Sequence, residues 1–229
     1  MDLDLNPDVV IIGAGIGGSA LAIALSEANL RVVLLEKTLE HKDVVRGEWM
    51  APWGVAEADK VGLTAVYEAN GAHRPTRLVG YNEHHTREEA EASALFFGED
   101  PVSPPLCIGH PRACDALNRV ACDNGVQLCR GIQRLEIAPG TPPRVSFTWQ
   151  DRDYDLTPRW VVGADGRNGI VARQIGATLN HDEEHHLFSG MLVEGAHAWP
   201  EDLQVIATEG DAHVLAFPQG EGRVRIYLG

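Results

Sequence analysis

Glycines at Gly13, Gly15 and Gly18, with Gly17 beside the last, form G-x-G-x-x-G directly after the apolar run "DVVII" and ahead of a stretch of helix formers. Backbone N–H groups at the mouth of a helix, together with the positive end of its dipole, favour an anion, and glycine lets a pyrophosphate come close. Glu36 follows about 20 residues on, where a carboxylate accepts hydrogen bonds from the hydroxyls of an adenosine ribose and disfavours a ribose 2′-phosphate. The pattern predicts a bound dinucleotide. NAD and FAD share the adenosine diphosphate half, so this unit does not choose between them, and a glycine turn of purely structural purpose is the alternative.

The elements that must hold these residues follow from hydrophobic patterning. "DVVIIGAG" and "RVVLLEK" are apolar without alternation, as strands buried on both faces are. Between them Ala20, Leu21, Ala24 and Leu25 recur at helical spacing, which predicts a helix from about Gly15 to Ala28 with Asn29 as its stop. Together these make a β-α-β unit with a right-handed crossover. "VRGEWMAPWG" reads as a loop lying against something flat and apolar, followed by a helix near Ala56 to Asn70. "TRLVGYNEHH" and "ASALFFGED" suggest a strand pair, and "PRACDALNRVACDNG" a helix with Pro111 in its first turn and Gly125 at its end. "VQLCRG", "IQRLEIA", "RVSFTWQ" and "DYDLTPRWVVGADG" read as successive strands, with Gly125 to Arg159 an antiparallel meander and "WVVGAD" returning to the buried sheet. "GRNGIVARQIGA" is then a helix, and "LFSGMLVEG", "LQVIATEG", "AHVLAFPQG" and "RVRIYLG" suggest a second, antiparallel layer.

Bulk properties exclude whole classes of partner. The chain has 229 residues, with 33 acidic against 19 basic and a formal charge of −14. That balance repels phosphate backbones and anionic headgroups, so neither nucleic acid nor a membrane is expected as a partner. No apolar run approaches the roughly 20 residues of a spanning helix, and "MDLDLNPD" is acidic where a secretory signal is basic. A cytoplasmic protein is expected. Cys107, Cys114, Cys122 and Cys129 match no C-x-x-C pair and read as reduced thiols. Among His84, His85, His181, His185 and His186 only His181 and His185 have i, i+4 spacing, and no metal is predicted. These histidines and Tyr81 are candidates for a substrate base. Nothing in their spacing selects one, and catalytic residues stay unassigned.

Two later stretches decide between the dinucleotides. The glycine turn with Glu36, the "RGEWM" of Arg46 to Met50, the "PR" at Arg112 opening a helix, and "VVGADGRNG" around Asp165 and Gly166 follow one another in an order that resembles the FAD-dependent aromatic hydroxylases, the group A flavoprotein monooxygenases. The resemblance spans nearly the whole chain. It implies an α/β fold in which a Rossmann-like FAD-binding domain, with its parallel sheet and antiparallel meander, is interleaved with an antiparallel-sheet substrate domain. The FAD-binding parts would be residues 1–75 and 108–176, and the substrate-domain parts 76–107 and 177–229.

The resemblance further implies that Glu36, with Lys37 after it, binds the FAD ribose. Arg46 would reach toward the FAD backbone, and the backbone of Gly47, Glu48 and Met50 would border the isoalloxazine. Arg112 would be a further FAD contact. Asp165 and Gly166 form the family's "DG", associated with FAD and with transient NAD(P)H, although an N-cap for the following helix is the alternative reading of Asp165. Trp49, Met50, Pro52 and Trp53 are candidates for an apolar wall beside the ring, or for ordinary core. In the implied reaction NAD(P)H reduces FAD, and one atom of O2 passes to an aromatic or other electron-rich small molecule.

The pattern departs from the family in two places. The usual DGxxSxxR has Gly169 and Ala172 at its serine and arginine positions, with Arg173 one residue late. A "GD" segment that closes over the flavin in family members is not found, so the expectation is a chain lacking the C-terminal part, complemented by such a segment or by a second copy. The rival readings are an FAD-dependent reductase or halogenase on the same scaffold and a non-catalytic flavoprotein fragment. A halogenase W-x-W-x-I-P is not matched by "WMAPWGV". A plain NAD-dependent dehydrogenase leaves the "DG" segment unexplained.

Overall fold

The computed structural model describes residues 3, 6–44, 46–98, 103–167, 169–178, 180, 182–183 and 185–229. Its elements are β1 (Val9–Ile12), α1 (Ile16–Glu27), β2 (Val32–Glu36), β3 (Trp49–Met50), α2 (Pro52–Lys60), α3 (Leu63–Ala69), β4 (Arg77–Tyr81), α4 (Arg87–Ala92), β5 (Leu95–Phe96), β6 (Leu106–Cys107) and α5 (His110–Asp123). They continue with β7 (Gln127–Arg130), β8 (Gln133–Ala138), β9 (Arg144–Trp149), β10 (Arg152–Leu156), β11 (Trp160–Gly163), α6 (Val171–Gln174), β12 (Ser189–Val193), β13 (Leu203–Glu209), β14 (Ala212–Gly220) and β15 (Arg223–Leu228). These divide into two compact units interleaved along the chain, Met1–Lys42 with Ala113–Asp182 and Asp43–Arg112 with Glu183–Gly229.

The first unit is built on a parallel sheet in the order β11-β1-β2-β7. Every residue of β1 and β2 is buried, which is why both runs are apolar without alternation. On α1 the buried positions are Gly18, Ser19, Ala22 and Ile23, mostly small. The antiparallel meander β10-β9-β8 supplies Val145, Phe147 and Leu156 to a cluster with Val10, Ile12, Val33 and Leu35. Each such side chain removed from water contributes about 1.5–3 kcal/mol.

Three expectations are corrected in this unit. β7, read as the first strand of the meander, instead pairs in parallel with β2, Leu128 beside Leu34. "DYDLTPRWVVGADG" is two strands, because Pro158 cannot donate to a ladder and the chain turns there to place the Arg159 and Trp160 amides on the Asp8 carbonyl. The helix expected over Gly166 to Ala177 contracts to α6, since two glycines precede it.

The second unit carries a six-stranded sheet in the order β12-β15-β14-β13-β4-β5. It is antiparallel except where β13 runs parallel to β4, Val205 beside Val79. The antiparallel layer expected of the four C-terminal segments is found in β12 to β15, and β4 joins it in parallel because it comes from a distant segment and no hairpin forces its direction. The single helix expected over Ala56 to Asn70 is two, broken at Gly62, whose φ of 69° is left-handed. The tryptophan-rich loop contains the short strand β3, with Trp49 opposite Cys107 of β6. His73 and Cys107 exchange both backbone hydrogen bonds at 2.8 Å. These links hold residues 43–75 in the second unit, so the units change at 42/43, 112/113 and 182/183, where the sequence suggested 75/76, 107/108 and 176/177. Among the described residues no helix is long and apolar enough to cross a membrane.

Candidate functional site

Three neighbouring parallel strands, β11, β1 and β2, end at one edge of the first sheet and bring Asp165, the glycine turn and Glu36 there. The glycines divide into two kinds. At Gly13, with φ 105°, a Cβ would run into the Ala164 carbonyl, and at Gly18 into the Gly13 carbonyl. The protein's own packing requires both. Gly15 sits at φ −73°, ψ −172°, open to any residue, and a Cβ on Gly15 or Gly17 would meet nothing within 4 Å. Packing within the described residues requires neither glycine, and Gly15, the N-cap of α1, borders the space in front of the helix. No side chain caps α1 and no acid lies in its first turn, so the positive end of its dipole faces that space. An anionic, close-approaching group such as a dinucleotide pyrophosphate fits there.

Glu36 is 8% exposed. Its Oε2 accepts the Ala14 N–H at 2.9 Å, and its Oε1 accepts the Thr38 N–H at 2.9 Å and the Thr38 hydroxyl at 2.8 Å. Burial pushes the carboxyl up, but the hydrogen bonds from Thr38 and Ala14 outweigh it and hold the group below the usual carboxylate range. It is therefore ionised at neutral pH, with about one of four lone-pair directions still open to a sugar hydroxyl.

The turn is braced from behind by two residues that sequence reasoning missed. Asn118 of α5 donates from Nδ2 to the Ala14 carbonyl at 3.0 Å, and the Ser19 hydroxyl donates to the same carbonyl at 3.0 Å. An asparagine among the apolar positions of a helix was the available signal. Exposed Lys37 borders a cleft of about 430 Å³ at the carboxyl ends of β2 and β7, lined also by Leu39, Arg130, Gly131, Trp149 and Asp151.

Asp165 is not the N-cap of α6, which is Ile170, but reaches the amides at the helix start from five positions upstream. Its Oδ2 accepts the amides of Ile170 at 2.6 Å and Val171 at 3.1 Å, and Gly166 turns the chain with φ 79°. A Cβ on Gly169 would collide with the Asp165 carboxylate. That contact accounts for the glycine where the resembling family has a serine.

The remaining candidates belong to the second unit. Arg46 and Gly47 are exposed, and the Arg46 carbonyl accepts the Tyr227 hydroxyl at 2.7 Å. Glu48 is 5% exposed, its side chain turned into the protein. Trp49 stacks on Phe217 at 5.7 Å between centroids and belongs to the core, whereas Trp53 is exposed. Met50 is half-buried, its side chain beneath Gly54. The Arg112 guanidinium lies over Gly71, where a Cβ would stand 2.9 Å from Nη1.

The substrate-base candidates are not brought together. Tyr81 donates to Glu91 at 3.3 Å, and burial with that carboxylate pushes its phenol up, so it stays protonated at neutral pH. His85 pairs with Asn82 at 2.8 Å. His186 lies edge-on to His213, and His181 lies outside the described residues. Among the described residues no group of three His, Cys, Asp or Glu side chains could hold a metal ion.

A parallel sheet with a glycine turn at its carboxyl edge, an antiparallel meander and a second mixed sheet make an α/β fold shared with solved flavoprotein structures. The family described as FAD binding domain matches residues 6–224, and the chain belongs to it. It is 23% identical over 238 residues to the menaquinone reductase of Mycolicibacterium smegmatis, covering 99% of this chain and 56% of that protein. It is 22% identical over 235 residues to the squalene monooxygenase of Mus musculus, covering 97% and 39%. Among solved structures, p-nitrophenol 4-monooxygenase from Pseudomonas putida superposes with a TM-score of 0.78 at 16% identity, over 98% of this chain and 58% of that one. The chain thus spans about half the length of the curated relatives it matches.

Proposed function

We infer that this chain provides the nucleotide-binding part of an FAD-dependent monooxygenase that uses NAD(P)H and O2 to oxygenate an aromatic or other electron-rich small molecule. The observation that carries the reading is Gly15, the N-cap of α1, a glycine that neither its backbone angles nor any protein contact requires, before a helix with no side-chain cap. The turn's amides would hold the diphosphate of FAD, Glu36 would accept a ribose hydroxyl, and the cleft beside Lys37 has room for part of the adenosine. Asp165 with Gly166 would shape the strand end beside the diphosphate, and the family resemblance supports Arg46 and Arg112 as further FAD contacts. When bound, FAD supplies the redox chemistry, exchanging electrons with NAD(P)H and O2. A cytoplasmic setting is in keeping with four free cysteines.

Isothermal titration of the chain with FAD tests this reading directly. Stoichiometric uptake supports it, and no uptake by the chain or by its longest natural form refutes it. A second reading, an FAD-dependent reductase, is favoured by the likeness to a menaquinone reductase. Oxygen uptake with an oxygenated product separates the first from the second, which saturates a double bond without consuming oxygen.

A further inference from the structure

The six-stranded sheet spends an unusual number of polar side chains on one short segment. The Arg225 fork meets the Glu48 carboxylate through Nε–Oε2 at 2.5 Å and Nη2–Oε1 at 3.2 Å, and Gln219 Nε2 donates to Oε2 at 2.9 Å. Arg225 also reaches Asp43 at 2.7 Å. Two residues along β15, the Tyr227 hydroxyl holds the Arg46 carbonyl, and on β13 Gln204 accepts the Trp49 indole N–H. Arg225 and Glu48 are each 5% exposed. A buried ion pair of this kind adds little net stability over apolar side chains of the same volume, because desolvation cancels most of the attraction. What directional bonds do supply is a single pose where apolar packing would accept several.

Glu48 is the junction. Its Oε1, besides meeting Arg225, accepts the His110 N–H at 2.9 Å, the amide at the start of α5. Arg112 lies in that same first turn, and Arg46 lies two residues before Glu48. The carboxylate of the "RGEWM" segment therefore holds the start of the helix that carries the second arginine.

The geometry points to Glu48 and Arg225 as positioning residues that set the backbone of the 46–50 segment and the start of α5 together, so that the two stretches carrying Arg46 and Arg112, each proposed as an FAD contact, are coupled through a buried ion pair. The coupling to FAD rests on the functional reading above; the coupling between the two segments does not.

The experiment is hydrogen exchange followed by mass spectrometry on the full chain, comparing wild type with E48Q/R225M, which removes both charges and leaves neither partner buried alone. Amides of residues 46–50 and 108–112 are expected to exchange faster together, by about tenfold, while β13 and β14 keep their protection. Arg225→Lys, which keeps the charge but loses the fork, is expected to fall between the two. FAD titration of the same proteins is expected to show about tenfold weaker binding in the double variant. Unaltered exchange in either segment, or wild-type FAD affinity in the double variant, overturns the proposal. If the double variant does not fold, Arg225→Lys decides by the same two measurements. A wild-type chain that takes up no FAD refutes the functional reading, and the exchange comparison then decides the coupling by itself.

Discussion

The Glu36 carboxylate at the end of β2 accepts the Ala14 N–H at 2.9 Å, so the acid that would meet the ribose also fastens the glycine turn. Its folded-state titration lies below the unfolded value of 4.5 because the Thr38 and Ala14 bonds outweigh the cost of burial. A depressed carboxyl contributes stability that is present above pH 4.5 and lost as pH falls through the folded value. Glu36→Gln is expected to cost about 1.5–3 kcal/mol at pH 7, the range for hydrogen bonds to a charged group. Urea denaturation at pH 7 and in steps below pH 4.5 checks this; a gap between variant and wild type that persists unchanged into acid contradicts it.

The two kinds of glycine give opposite expectations. Gly13→Ala introduces a side chain at φ 105° against the Ala164 carbonyl and is expected to destabilise by about 1–3 kcal/mol. Gly15→Ala touches no protein atom and is expected to leave the thermal midpoint unchanged while weakening FAD binding at least about tenfold, or 1.4 kcal/mol. Calorimetry of unfolding and of FAD binding on both variants separates the effects. Equal FAD affinity in Gly15→Ala and wild type would count against the site.

Asp165 carries a structural duty independent of any cofactor. Asp165→Ala removes the acceptor of the Ile170 and Val171 amides and is expected to cost about 1 kcal/mol. Gly169→Ser, which restores the serine of the family pattern, is expected to destabilise as well, since its Cβ meets that carboxylate. Thermal melts without FAD are the measurement, and a Gly169→Ser variant as stable as wild type would contradict the contact.

The cysteines sort by burial. Desolvation pushes Cys107 well above the usual thiol range, Cys114 up to about 11 and Cys129 up to about 12, while Cys122 is exposed. A thiol reagent at pH 7.5 is expected to label Cys122 alone in the folded chain and all four cysteines in denaturant. Rapid native labelling of a second cysteine, located by peptide mapping, would contradict the buried placement.

Breaking the ion pair from one side is more severe than removing it. Arg225→Met leaves the Glu48 carboxylate buried without its main partner and is expected to cost about 3–5 kcal/mol. Denaturation of the single and double variants closes a cycle in which the double variant is more stable than the sum of the singles implies.

By itself the sequence determined the nucleotide half. The β-α-β unit is local: strand, turn, helix and returning strand lie within Val9–Glu36, and every requirement there, apolar runs, glycines and terminal acid, acts between near neighbours in the chain. Only the tertiary structure decided which residues serve packing and which remain available. That Gly13 faces Ala164, that Glu48 turns inward to an arginine 177 positions away, and that Asn118 holds Ala14 depend on contacts between distant segments. No periodicity encodes those pairings, because a polar residue's partner is set by where the fold brings the chain back. The same cause explains why β7, read into the meander, joined the parallel sheet and why no pattern announced that β4 runs parallel to β13: strand neighbours are chosen by the whole core, while local pattern specifies only that a strand exists.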